Sequence, residues 1–151
     1  MKGIKVTKTD LNTNTLPFRD GEFDVASAFD VIKHLWNTDN MISEAHRVLK
    51  RNGLFILTTP NLASWVNRLL LLLGYLPAYY ECSLKHDLEK RPLRSSFGLY
   101  GHMRLYTFKI LEKHLKAYGF RVIYSTSHPT GYVTAKFVIR MLNSLFGSER
   151  H

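Results

Sequence analysis

The stretch LPFRDGEFDVASAFDVIKHL, residues 16–35, has the pattern of a loop, a buried strand and the lip of a site. Leu16, Phe18, Phe23, Val25 and Val31 are core-type residues, and the turn sequence Arg19-Asp20-Gly21 stands among them. Residues 22–28 read as a buried strand around Phe23, Val25 and Ala26. The question the stretch raises is what stands before and after it.

Downstream, residues 37–50 predict a helix. Met41, Ile42, Ala45, Val48 and Leu49 repeat at helical spacing, and Asn37, Thr38 or Asp39 can cap its start. Asn52-Gly53 is expected to stop that helix. Residues 54–58 form a continuous apolar strand ended by Pro60. Strand, helix and strand in alternation are the mark of an α/β chain with a mostly parallel sheet and crossover helices. Farther on, residues 64–76 predict an apolar helix, and residues 81–101 a charged, irregular loop or lid. Thr107 caps a helix over 108–118, with Leu111, Leu115 and Tyr118 on one face and Gly119 at its end. Strands are expected at 120–125 and 132–138. Upstream, residues 3–7 predict a short strand, Ile4 and Val6 alternating with Lys5, and residues 10–15 a polar turn. No internal repeat is visible.

Composition sets bounds on function. At 151 residues, 45% hydrophobic and 22% charged, the chain can bury the core of one domain. The single cysteine, Cys82, excludes an intramolecular disulfide framework and suits a reducing, cytoplasmic setting. The first residues, MKGIK, contain no apolar signal-peptide core. A net charge of +9 favours acidic partners, but the basic residues are scattered. Aromatics such as Phe55, Phe108 and Phe120 fall at core positions rather than among basic side chains, which disfavours a nucleic-acid partner. Residues 62–80, with LLLLLGYLPAYY, are the most apolar part, yet fall short of the ~20 residues of a spanning helix. Residues 69–73 are consecutive leucines that point all round a helix, so some should be left bare for self-association or peripheral membrane contact.

Five short motifs occur in order: DLN at 10–12 leading to LPFRDGEFD, then FDVIKHL, EAHRVLKRNGLFILTTPN at 44–61, GHMRLYT at 101–107, and YGFRV. In order and spacing they resemble the C-terminal two-thirds of a class I S-adenosylmethionine-dependent methyltransferase, of the broad group that includes the ubiquinone-biosynthesis type. The resemblance covers roughly residues 5–125. It implies a partial doubly wound, Rossmann-like sheet with flanking helices, its ligand lying at the carboxyl ends of the strands. It also implies a glycine-rich loop and a ribose-binding acid before residue 10. Only nine residues precede Asp10, and no two glycines in the chain are separated by a single residue. The expectation is one truncated domain over 1–151, lacking the first two strands of the fold, with a helical lid-like insertion at about 62–101. A truncated gene product, an excised fragment or half of a split enzyme would each account for it.

The resemblance carries functional positions onto particular residues. Asp10, Leu11 and Asn12 match the position beside the adenine of S-adenosyl-L-methionine. The bland alternative is a turn in which Asp10 bonds its own backbone neighbours. Ala28, Phe29 and Asp30 match the border of the cofactor's methionine part, or else simply end a buried strand. His34, in DVIKHL where the family often has Glu-His, is the candidate base for a hydroxyl acceptor, its ordinary pKa lying near 6.5. Lys33 stands where the family has the acid. His102 and Arg104 face the acceptor side by resemblance; the alternative is that Arg104 and Tyr106 brace the start of the helix that follows. Cys82, His86 and His102 lack zinc-ligand spacing. The implied activity is methyl transfer to a small-molecule acceptor, with binding by this chain alone expected to be weak. The alternative is a non-catalytic partner whose sheet is completed by another chain.

Overall fold

A computed structural model describes residues 3, 4, 6–80, 82, 83, 85, 86, 101–127 and 134–141. Its elements are β1 (Phe23–Phe29), a single 3-10 turn (Ile32–His34), α1 (Thr38–Val48), β2 (Leu49–Pro60), α2 (Trp65–Leu72), α3 (Phe108–Ala117), β3 (Phe120–Ser127) and β4 (Thr134–Met141). Among the described residues they form one four-stranded sheet in the order β1-β2-β4-β3. β1 runs parallel to β2, and β4 is antiparallel to both β2 and β3. Three strands therefore share one direction and β4 alone is reversed. The α/β, Rossmann-like class expected from the sequence is what the chain adopts. Its mostly parallel character lies in strand direction: the reversed β4 makes two of the three pairings antiparallel.

α1 carries its apolar residues on one stripe, and Met41, Ile42, Ala45 and Val48 are buried. Of the three candidate caps Asn37 is the one used: its side chain accepts from the Asn40 N–H at 3.1 Å. The helix ends at Val48, two residues earlier than expected, because Leu49 is already extended. Asn52-Gly53 does not stop it. The pair lies inside β2, where the register against β1 shifts between Phe23/Leu49 and Val25/Leu54. Asn52 takes a positive φ there. A Cβ on Gly53 would come within 2.8 Å of the Lys50 carbonyl oxygen, so only glycine lets the strand fold this closely.

One sheet face carries Ala28, Phe55, Leu57 and Ile139, which pack with Ile42 and Ala45 of α1 and with Leu111 and Leu115 of α3. Phe55 and Phe120 are buried together, ring centroids 5.6 Å apart, and Phe108 packs against the same cluster. The opposite face is poorly covered at β1. Val25 and Phe29 point there, and Phe29 is 60% exposed. β1 is also an edge strand of the described sheet.

Further sequence expectations are corrected. The described residues of the 3–7 stretch form no strand, and Ile4 and Val6 are 93% and 86% exposed. Two apolar residues with no neighbouring strand cannot repay the cost of ordering. The apolar helix at 64–76 is shorter than expected. Ser64 caps it by accepting from the Asn67 N–H, and it closes at Leu72, with Gly74 at φ +80° just beyond. Strand β3 runs two residues past the expected 120–125. Of the strand expected at 132–138, positions 132 and 133 lie outside the described residues, and β4 continues to Met141. Most of the 81–101 loop lies outside them too.

Candidate functional site

The opening stretch is held by one ion pair. Arg47 is presented by α1, and its Nε and one terminal nitrogen donate to the two Glu44 carboxylate oxygens at 2.8 and 2.7 Å. The same guanidinium donates to the carbonyls of Leu16 and Phe18, both at 2.9 Å, and to Asp20 at 2.7 Å. Glu44 in turn accepts from the Leu16 N–H at 2.6 Å. The hydrogen bonds from Arg47 hold the buried Glu44 carboxyl below its ordinary range, and the two acids raise the guanidinium's pKa. The LPFRDG loop is thus tied to α1, which aims β1 out of it. Sequence reasoning missed this pair. Its signal was the i,i+3 spacing of Glu44 and Arg47 within EAHRVL.

At the carboxyl end of β1 the chain turns sharply. Asp30 takes φ +58°, a left-handed conformation that Asp tolerates better than most residues. Its N–H is shared between the Thr58 carbonyl at 3.1 Å and the Thr58 hydroxyl at 2.9 Å. Its carboxylate pairs with Lys33 at 3.0 Å. Lys33, standing where the resemblance places an acid, therefore neutralises Asp30. Ala28 is buried and Phe29 exposed at this end of the strand.

Asp10 forms the tight turn given above as the bland alternative. One carboxylate oxygen accepts from the Asn12 N–H at 2.9 Å and its side-chain amide at 3.0 Å, which keeps the Asp10 pKa below its ordinary value. Asn12 does structural work as well. Its amide oxygen accepts from the N–H groups of Trp36 and Asn37 at 2.9 and 3.1 Å. The Asn37 amide donates to the Asn12 carbonyl, and the Asn40 amide to the carbonyls of Leu11 and Asn14. Leu11 packs against the core. The DLN motif is thereby clamped to the start of α1, beside the β1 end.

The 101–107 segment crosses the same end. The Met103 and Arg104 N–H groups both donate to the Lys33 carbonyl, at 2.8 and 3.1 Å. The Arg104 guanidinium donates to the Trp36 carbonyl at 2.9 Å, and the Tyr106 hydroxyl to Thr38 at 3.1 Å. Arg104 and Tyr106 therefore brace the start of α1, not of α3. His34 and His102 meet with ring centroids 4.9 Å apart. His34 Nδ1 lies 3.3 Å from the Gly101 carbonyl and His102 Nδ1 lies 3.0 Å from the Tyr79 carbonyl. A carbonyl only accepts, so each of these nitrogens carries the proton. The exposed His34 ring then presents Nε2 as an acceptor.

All the sequence-predicted positions thus gather at one end of the sheet: 10–12, 28–30, His34, His102 and Arg104. Residues 2–57 match the family model of a methyltransferase domain. A Mycolicibacterium smegmatis protein named "Probable S-adenosylmethionine-dependent methyltransferase" is 44% identical over 50 residues, 33% of this chain and 20% of that protein. In this part of its sequence the chain is similar to S-adenosylmethionine-dependent methyltransferases. An uncharacterized protein of Methanocaldococcus jannaschii is 30% identical over 146 residues, covering 91% of this chain and 55% of that one. The crystal structure of a SAM-dependent methyltransferase from Methanosarcina mazei superposes with a TM-score of 0.61 at 19% identity, over 90% of this chain and 66% of that one, and shares the fold. The chain spans about a fifth to about half of the length of these curated relatives.

The fit to the methyltransferase cofactor is partial. Residues 28–30 stand at the end of β1 and 10–12 are bonded to the start of α1, but the carboxylates of Asp10 and Asp30 are engaged by Asn12 and Lys33. The chain has no glycine pair of the kind that would cradle the cofactor. Among the described residues no three or more His, Cys, Asp or Glu side chains are grouped to hold a metal ion, and no helix is long and apolar enough to cross a membrane.

Proposed function

We propose that this chain is the acceptor-side part of an S-adenosylmethionine-dependent methyltransferase acting on a small molecule, one truncated domain whose 62–101 region lies over the acceptor. The observation that carries the reading is that residues 28–30 and His34, within residues 2–57 that match the methyltransferase domain, lie at the carboxyl end of β1, with His102 and Arg104 brought against Lys33 and His34 there. Methyl transfer is a displacement on an activated methyl group and mainly needs aligned reactants, which a rigid strand end supports. His34, with its proton on Nδ1, is suited to take a proton from a hydroxyl acceptor through Nε2. His102 flanks it. The cofactor contacts assigned by resemblance to Asp10, Leu11, Asn12, Ala28, Phe29 and Asp30 cover one side of the molecule only. The chain alone is therefore a weak binder, and another segment or chain completes the sheet along β1.

Isothermal titration with S-adenosylmethionine tests this, using the chain alone and the chain fused behind the segment that precedes the aligned region in the M. smegmatis relative. The chain alone should bind more weakly than about 10 μM, roughly −7 kcal/mol. The fusion should bind tightly. Tight saturable binding by the chain alone overturns the completion requirement. A folded fusion blind to the cofactor overturns the methyltransferase reading. In an active fusion, His34→Gln should lower kcat with little change in KM.

A further inference from the structure

Helix α2 and the turn after it belong to the 62–101 region that the proposed function places over the acceptor, and they also present an apolar surface outward. With 3.6 residues per turn, the outward arc over about 160° of the helix holds, in order, Leu71, Arg68, Leu72, Trp65 and Leu69. Asn67 and Leu70 occupy the buried side. Leu72 is 82% exposed, Trp65 63% and Leu73 62%, and Tyr75 continues the exposed surface beyond Gly74. So many large apolar groups on one convex element is unusual for a free surface.

Charge decides what fits against it. Arg68 is the arc's only ionisable side chain, and its Nε donates to the Ala63 carbonyl at 3.0 Å. The sequence has no acidic residue between Glu44 and Glu81 and the whole chain carries +9; of the basic residues in that interval Arg47 and Lys50 are ion-paired with Glu44, Asp20 and Asp24, and Arg68 lies on the arc. A two-fold contact between copies would set the Arg68 patch against its like, with no acid on the arc to pair it. An anionic lipid surface answers both properties. Leucines enter the acyl boundary, Trp65 and Tyr75 sit at headgroup level, and Arg68 meets lipid phosphate. We propose that the surface of α2 and the following turn docks this protein on an anionic bilayer, lying in the interface without spanning it.

Vesicle sedimentation with the full chain tests the proposal. Phosphatidylcholine vesicles and mixed phosphatidylcholine–phosphatidylglycerol vesicles are compared. Binding should favour the mixed vesicles and weaken with added salt. Leu69→Gln/Leu72→Gln/Leu73→Gln should lower partitioning at least about tenfold, because three exposed apolar side chains are removed. These side chains are exposed, so the thermal melt should be preserved. A second measurement does not depend on that variant. The chain has two tryptophans, so Trp36→Phe leaves Trp65 alone, and its emission should shift to the blue on mixed vesicles. No binding to mixed vesicles, or binding with unshifted Trp65 emission, overturns the proposal. So does equal partitioning of a folded triple variant, which would assign binding to the general basic surface. A stable dimer dispersed by the same substitutions would make the patch an interface between copies and also overturn it.

Discussion

Replacing Arg47 with Met should destabilise the chain by about 3 kcal/mol, although Arg47 belongs to no candidate site. The guanidinium gives five hydrogen bonds: two to Glu44, one to Asp20 and one each to the carbonyls of Leu16 and Phe18. The Asp20 bond adds little, since that side chain is 82% exposed. The Glu44 pair dominates, with side-chain exposures of 25% for Arg47 and 11% for Glu44. Removing one partner of a fully buried pair costs about 3–5 kcal/mol, and the partial exposure of Arg47 places the figure at the low end. Met keeps the packing volume of the stem, so the loss reports the stranded Glu44 carboxylate and the two orphaned carbonyls. Urea unfolding should show the midpoint falling by roughly 1.5 M at an unchanged slope. Glu44→Met/Arg47→Met should recover about half of the loss, because no charge is then stranded. Acid should shrink the effect. The depressed Glu44 pKa means that the pair's contribution is complete above the unfolded value of about 4.5 and is lost as pH falls through the folded one. A loss below about 1 kcal/mol, or a double variant worse than the single, would refute the claim that this clamp sets the loop.

Three other outcomes are expected. Burial pushes the His46 imidazole below its ordinary value, so stability is complete above pH ~6.5 and falls as the pH drops towards the folded pKa; His46→Gln should flatten that limb of a Tm-versus-pH curve. Tyr106→Phe removes the buried hydroxyl that donates to Thr38 and should cost about 1 kcal/mol by denaturant titration, whereas no loss would show that the brace on α1 is idle. In hydrogen exchange, β2 amides over 54–58, flanked on both sides, should be protected well beyond those of the edge strand β1; equal protection would mean that the β1 edge is covered in solution.

The sequence by itself determined the α/β alternation and the Rossmann-like class. It did so through local signals: the alternating and continuous apolar runs of β1 and β2, the helical stripe of α1, the cap candidates at 37–39 and the Thr107 cap. It also showed that residues 69–73 could not all be buried, and Leu70 is the one that is. Tertiary structure alone decided which polar side chains hold the fold. Glu44 and Arg47 look like an ordinary helix-surface pair until the loop 28 residues away is folded onto them. Asn12, Arg104 and Tyr106 find partners 24 to 68 positions distant. Tertiary structure likewise put the Asn52-Gly53 pair inside β2 and left Ile4 and Val6 without a sheet to join. The physical reason is one of range. Periodicity and capping are settled within a few residues, whereas a strand needs a neighbour and a buried charge needs a counter-charge, and both come from elsewhere in the chain.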